Sequence, residues 1–162
     1  MPEESDEFDY HGYQRELNKV LEQIQNSKIN PSNRQDLLDY YVHYKQGKSV
    51  SRVGKQLEHL FAIISWLDKP FREWNRNDVM TIVKIIDEKK SKSGVHWSDY
   101  YKRDYKIALR IFFKWLRGLG KKDPYPPEVA WIEIPAGISK PRIPDEIMTK
   151  EEAMTLVDTA DN

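Results

Sequence analysis

The sequence predicts an all-α bundle of four to five helices. Three observations carry that expectation. Apolar residues recur at steps of three and four over most of the chain. The alternating pattern of a half-buried strand is confined to Val129–Ile134, between prolines. Several of the seven glycines stand where the helical periodicities stop.

The elements follow in order. Residues 1–12 are acidic and read as a disordered arm. A first helix is expected over Tyr13–Ser27, with Leu17, Val20, Leu21 and Ile24 on one side. Pro31 and Ser32 open a second over Ser32–Gln46, with Ser32 or Asn33 as its cap and Gly47 as its stop. The third spans Ser49–Leu67, its stripe formed by Val53, Leu57, Leu60, Phe61, Ile64 and Leu67, with Pro70 beyond its end. Asn77 or Asn75 caps a fourth over Asp78–Lys90, where Val79, Ile82, Val83 and Ile86 face inward; Asp78 in the first turn and Lys89 and Lys90 in the last suit the helix dipole. Ser98 caps a fifth over Asp99–Arg117, with Tyr101, Tyr105, Ala108, Phe112, Trp115 and Leu116 on one face.

Six of the nine prolines fall between Asp123 and Pro144, so that stretch is expected to be an extended Pro-rich linker without a helix. Thr149 and Glu152 then form a capping box that restarts a helix over Met148–Asn162. A single short helix cannot bury its apolar face alone, so this one reads as the start of a further domain. The expected organisation is an acidic arm and helix at 1–28, a helical domain at 29–122, a linker at 123–148 and a truncated second domain from 149.

A formal net charge of zero conceals a strong asymmetry. Residues 1–40 carry −5, residues 41–122 carry +11, and residues 123–162 carry −6. A basic middle between acidic ends is the pattern of a polyanion-binding module. The chain has no cysteine, which excludes disulfides and thiolate metal sites. No apolar run approaches the roughly 18 residues of a membrane span, and the acidic start lacks the apolar core of a secretory signal. The expectation is a cytoplasmic protein that needs no membrane and no cofactor.

Catalytic constellations are missing from the sequence. His11, His43, His59 and His96 form no H-E-x-x-H motif, and no glycine-rich phosphate loop occurs. The binding signals are stronger. The turn Gly47-Lys48-Ser49-Val50-Ser51-Arg52 puts two hydroxyls and two cations at a helix start, where free backbone N–H groups attract phosphate, although Ser49 can equally be a simple cap. A second helix start gathers Lys92, Ser98, Lys102 and Arg103, and Lys102, Lys106 and Arg110 continue at steps of four. Such a stripe suits a duplex backbone, the alternative being an ordinary solvated face. The candidate DNA contacts are Lys48, Ser49, Arg52, Lys55, Ser98, Lys102, Arg103, Lys106 and Arg110, with Gln56 for a base edge and Arg142 for a phosphate beside the linker.

Several segments, in this order, carry a resemblance. They are Gly47-Lys48-Ser49 followed by Leu57-x-x-Leu60, then Trp97-Ser98-Asp99-Tyr100-Tyr101-Lys102, then Phe112-Phe113-Lys114-Trp115-Leu116. Lys140-Pro141-Arg142-Ile143-Pro144 and Met148-Thr149-Lys150-Glu151-Glu152-Ala153 complete the set. Together they resemble the core-binding domain, linker and first catalytic-domain helix of archaeal-type tyrosine recombinases of the phage integrase family, over residues 29–162. The resemblance implies a SAM-like orthogonal bundle that forms one half of a clamp on double-stranded DNA at a recombination half-site. Other recombinase protomers would join the full-length protein on DNA. It also implies that the catalytic Arg, Lys, His and nucleophilic Tyr lie beyond Asn162, so that this segment is not itself an enzyme. The competing expectation is a helical protein–protein interaction module, which would present an exposed apolar groove instead of a basic face.

Overall fold

Six α-helices and one short 3-10 turn make up the secondary structure of residues 12–134, the part of the chain that this computed structural model describes. They are α1 (Tyr13–Asn26), α2 (Pro31–Tyr44), α3 (Val50–Ser65), the turn Phe71–Glu73, α4 (Arg76–Glu88), α5 (Asp99–Leu116) and α6 (Pro127–Ala130). Among the described residues there is no strand, only an isolated bridge between Lys90 and His96.

The helix starts follow local chemistry. The Ser49 and Ser98 hydroxyls accept from the N–H groups of Arg52 and Tyr101, and Asn75 with Asp78 forms a reciprocal capping box. At α2 the cap is Asn30, ahead of the expected Ser32 or Asn33, and its side chain accepts from the Ser32 N–H at 2.8 Å. Pro31 explains the shift, since proline fits the first helical position, where its missing donor costs nothing. Asn33 is therefore free for another task. It lies buried, donates to the Lys69 carbonyl at 3.0 Å and accepts from the Phe71 N–H at 2.7 Å, which pins the 3-10 turn to α2.

The core gathers on both sides of α3 and α5. Tyr40, Leu57, Leu60, Phe71, Phe112 and Phe113 are fully buried, and the Tyr40 and Phe112 rings meet edge to face at 5.1 Å. The inward face of α5 is rotated from its expected position. Leu109 and Phe113 are buried, whereas Tyr101 is 42% exposed and leans on Trp97 at 4.7 Å.

Two segments expected to be appendages are part of this core. Leu17, Val20 and Ile24 of α1 join the same cluster, and α1 lies close enough to α3 that a Cβ on Gly54 would sit 3.8 Å from the Leu17 backbone. Farther on, the first part of the proline-rich stretch folds as α6 and buries Val129 and Ile132. Pro126 and Pro127 occupy the cap and first position of α6, where proline starts a helix instead of breaking one. Arg117 fastens the segment: it pairs with Glu128 at 2.6 Å and donates to the Arg72 and Trp74 carbonyls, both at 3.0 Å. The acidic arm of residues 1–11, the rest of the linker, Arg142 and the helix expected after Met148 lie outside the described residues.

Candidate nucleic-acid interface

A cleft of about 570 Å³ opens where the end of α2, the start of α3 and the end of α5 meet. Its cations come from three stretches: Lys48 before α3 with Arg52 in its first turn, Lys114 near the end of α5, and Lys121 in the loop beyond. Its rings are Tyr40, His43 and Tyr44 from α2, Trp115 from α5, and Tyr125. No carboxylate lines it, and among the described residues none of these four cations forms an ion pair.

Two of the four, Lys48 and Lys114, are held by rings and a carbonyl instead. The Lys48 ammonium lies 4.4 Å from the centre of the Tyr44 ring. Lys114 lies 4.7 Å from the Tyr125 ring and donates to the Lys121 carbonyl at 2.9 Å, which folds the basic loop back toward α5. The Arg110 guanidinium covers the same Tyr125 ring at 4.2 Å, so it borders the cleft from the side. A cation on a ring face keeps its charge available to a ligand, whereas an ion pair does not.

The stripe predicted along α5 is divided. Arg110 and Lys114 reach the cleft region, but Lys106 pairs with Asp87 of α4 at 2.9 Å, and Lys102 donates to the Asp87 carbonyl at 2.8 Å. Arg103 approaches Asp104 at 4.0 Å. Lys55 points into a mixed-charge neighbourhood. Burial, chiefly, raises the Asp104 carboxyl above its usual range against the pull of Arg103 and Lys55, and burial followed by Glu16 raises Glu58. His59 lies in the same neighbourhood, 4.3 Å from the Tyr105 ring. Burial and then Lys55 push its pKa down from 6.5 to about 4, so the imidazole is neutral at pH 7.

Gln56 is a correction. It is 6% exposed, and its amide nitrogen donates to the Tyr40 hydroxyl at 3.0 Å and to the Ala108 carbonyl at 3.2 Å. A side chain committed to two buried partners cannot reach a base edge; Gln56 joins α2, α3 and α5 beneath the cleft. Ser49 and Ser98 act as helix caps, and neither is among the residues that line the cleft.

Sequence reasoning passed over Lys114 and Lys121 as contacts, along with every ring of the cleft. The signal was there: Lys114, Arg117, Lys121 and Lys122 form a basic run across the helix end, and Tyr40, Tyr41, His43 and Tyr44 crowd the end of α2. Among the described residues no group of three or more His, Asp or Glu converges on a metal position, and no helix is long and apolar enough to cross a membrane. No protein-family model, curated protein or solved structure matches the chain.

Proposed function

We propose that this chain is a duplex-DNA-binding domain that grips the phosphate backbone, and that it forms the core-binding part of an archaeal-type tyrosine recombinase. One observation carries the DNA reading: Lys48, Arg52, Lys114 and Lys121 reach one cleft from three stretches of chain, with no carboxylate among its lining residues. Phosphates favour such a site because every contact releases condensed counterions. The Gly47 turn adds the N-terminus of α3, where the Ser49 cap satisfies one donor and leaves neighbouring N–H groups for an anion. The recombinase assignment rests on the ordered motifs from Gly47 to Ala153. On this reading the helices form a SAM-like orthogonal bundle, the segment around Arg142 is an interdomain linker, and strand exchange belongs to another part of the full-length protein, assembled with further protomers on DNA.

Fluorescence anisotropy with a labelled duplex tests the DNA reading. Four phosphate contacts predict a log K that falls with log salt at a slope of about −3.6, and binding that is weak for half of a clamp. Absence of binding at about 50 mM salt would sink the proposal.

A further inference from the structure

We propose that the cleft accepts an unpaired nucleotide of DNA, its base against Trp115 and His43 and its flanking phosphates on Lys48, Arg52 and Lys121. This deepens the nucleic-acid reading above and rests on it. The shape of the cleft is ill-matched to the task of gripping a backbone. A paired duplex presents convex rows of phosphates and keeps its bases stacked inside. Such a surface meets the cationic rim but leaves a hollow of about 570 Å³ unfilled, a volume within the range of small-ligand sites. Phosphate contact alone needs cations, and it gives no reason for rings at the floor.

Two of these rings are open to the cleft. Trp115 is half-buried and packs against Tyr40 at 5.2 Å, while the exposed His43 ring lies 6.2 Å from it at 34°. Accessible rings beneath cations that form no ion pair among the described residues match an aromatic base joined to phosphates. An acidic peptide would match the rim but leave the rings unused.

The test compares a blunt duplex of about 20 base pairs with the same duplex carrying one central unpaired thymidine, both titrated with the full chain by anisotropy. The expected result is about tenfold tighter binding of the bulged duplex, the scale of one base stacked on an aromatic side chain. Trp115→Ala should abolish that advantage. Because Trp115 also packs on Tyr40 and Phe112, His43→Ala is the second variant: its ring is exposed, so the fold should persist, and the advantage should fall about threefold. Helical circular dichroism confirms that each variant is folded. Blunt-duplex binding with a bulge advantage below about twofold overturns the inference and leaves the duplex reading standing. An advantage that survives both substitutions would come from the bending of the DNA and also overturns it. Binding of the bulged duplex alone supports the inference and overturns the duplex reading, and binding of neither removes both.

Discussion

Along α5, the cations of the first half and those near the far end meet different surroundings. Lys102 and Lys106 reach across to Asp87, and Arg103 approaches its neighbour Asp104. At the far end, Lys114 joins Lys48, Arg52 and Lys121 around aromatic rings with no carboxylate among the lining residues. The residue types are alike and the sequence spacing is regular, yet one set meets Asp87 of α4 while the other has no carboxylate among its neighbours in the cleft. Positive charge in the sequence is therefore a poor guide to positive potential on the surface; the position of the nearest carboxylate decides it.

The sharpest way to break this comparison is to reverse charge at both ends. Arg52→Glu with Lys121→Glu should weaken duplex binding roughly 100-fold at about 50 mM salt and flatten the salt slope by about 1.8, the share of two phosphate contacts. Lys102→Glu with Lys106→Glu should cost less than about fivefold. Equal losses by anisotropy would show that both ends touch DNA and would dissolve the distinction.

The second prediction separates support from contact. Gln56→Leu leaves the buried Tyr40 hydroxyl without its donor and removes a bond to the Ala108 carbonyl. Urea denaturation should show a loss of about 2 kcal/mol, the cost of an unsatisfied buried group, with duplex affinity changed less than about twofold. A large affinity loss in a fully folded Gln56→Leu protein would restore this residue as a contact.

These two sites also show how far the sequence could be read. The helical periodicity gave the five longer helices to within a few residues, because burying a stripe leaves a pattern at 3.6-residue spacing. Ser49 and Ser98 are recognisable as caps, and Asn75 as one of two candidates beside Asn77, because capping depends on residues within one turn. The remainder depended on partners far along the chain. Gln56 reads as a polar residue on a helix until Ala108, 52 positions later, packs beside it. Lys106 reads as a free cation until α4 brings up Asp87. Val129 and Ile132 lie in a proline-rich stretch that looks extended, yet they join the core cluster, with the anchor from Arg117 to Glu128 fastening the segment. The cleft needed three separate stretches at once, which no local pattern encodes.

The third prediction concerns pH and the first half of α5, where His59 packs against Tyr105. Its pKa is depressed in the fold, from 6.5 to about 4, by burial and then by Lys55. The neutral ring therefore contributes stability that is fully present above pH 6.5 and is lost as pH falls toward 4. The loss should be on the order of 1–2 kcal/mol, less than the full shift would give because the ring keeps some contact with solvent. His59→Phe should flatten the fall of the urea midpoint between pH 6.5 and 4. A profile identical to that of the unaltered protein would assign the acid sensitivity to carboxylates instead.

The smallest effect bears most directly on the comparison. Asp87 is the carboxylate that distinguishes the first half of α5 from the cleft, and its pair with Lys106 is half open to water on the acidic side, at 49% exposure. Asp87→Asn removes the charge and keeps the size. An exposed pair of this kind contributes less than about 1 kcal/mol, so stability should barely move. Lys102 keeps its bond, because it donates to the backbone carbonyl of residue 87 and not to the side chain. What changes is the field: one negative charge disappears and the Lys106 ammonium loses its counter-charge. Duplex affinity should therefore rise, by less than about threefold, with a slightly steeper salt slope. A rise of tenfold or more would mean that the first half of α5 already faces the DNA and that Asp87 restrains it, which would move the main contact surface away from the cleft.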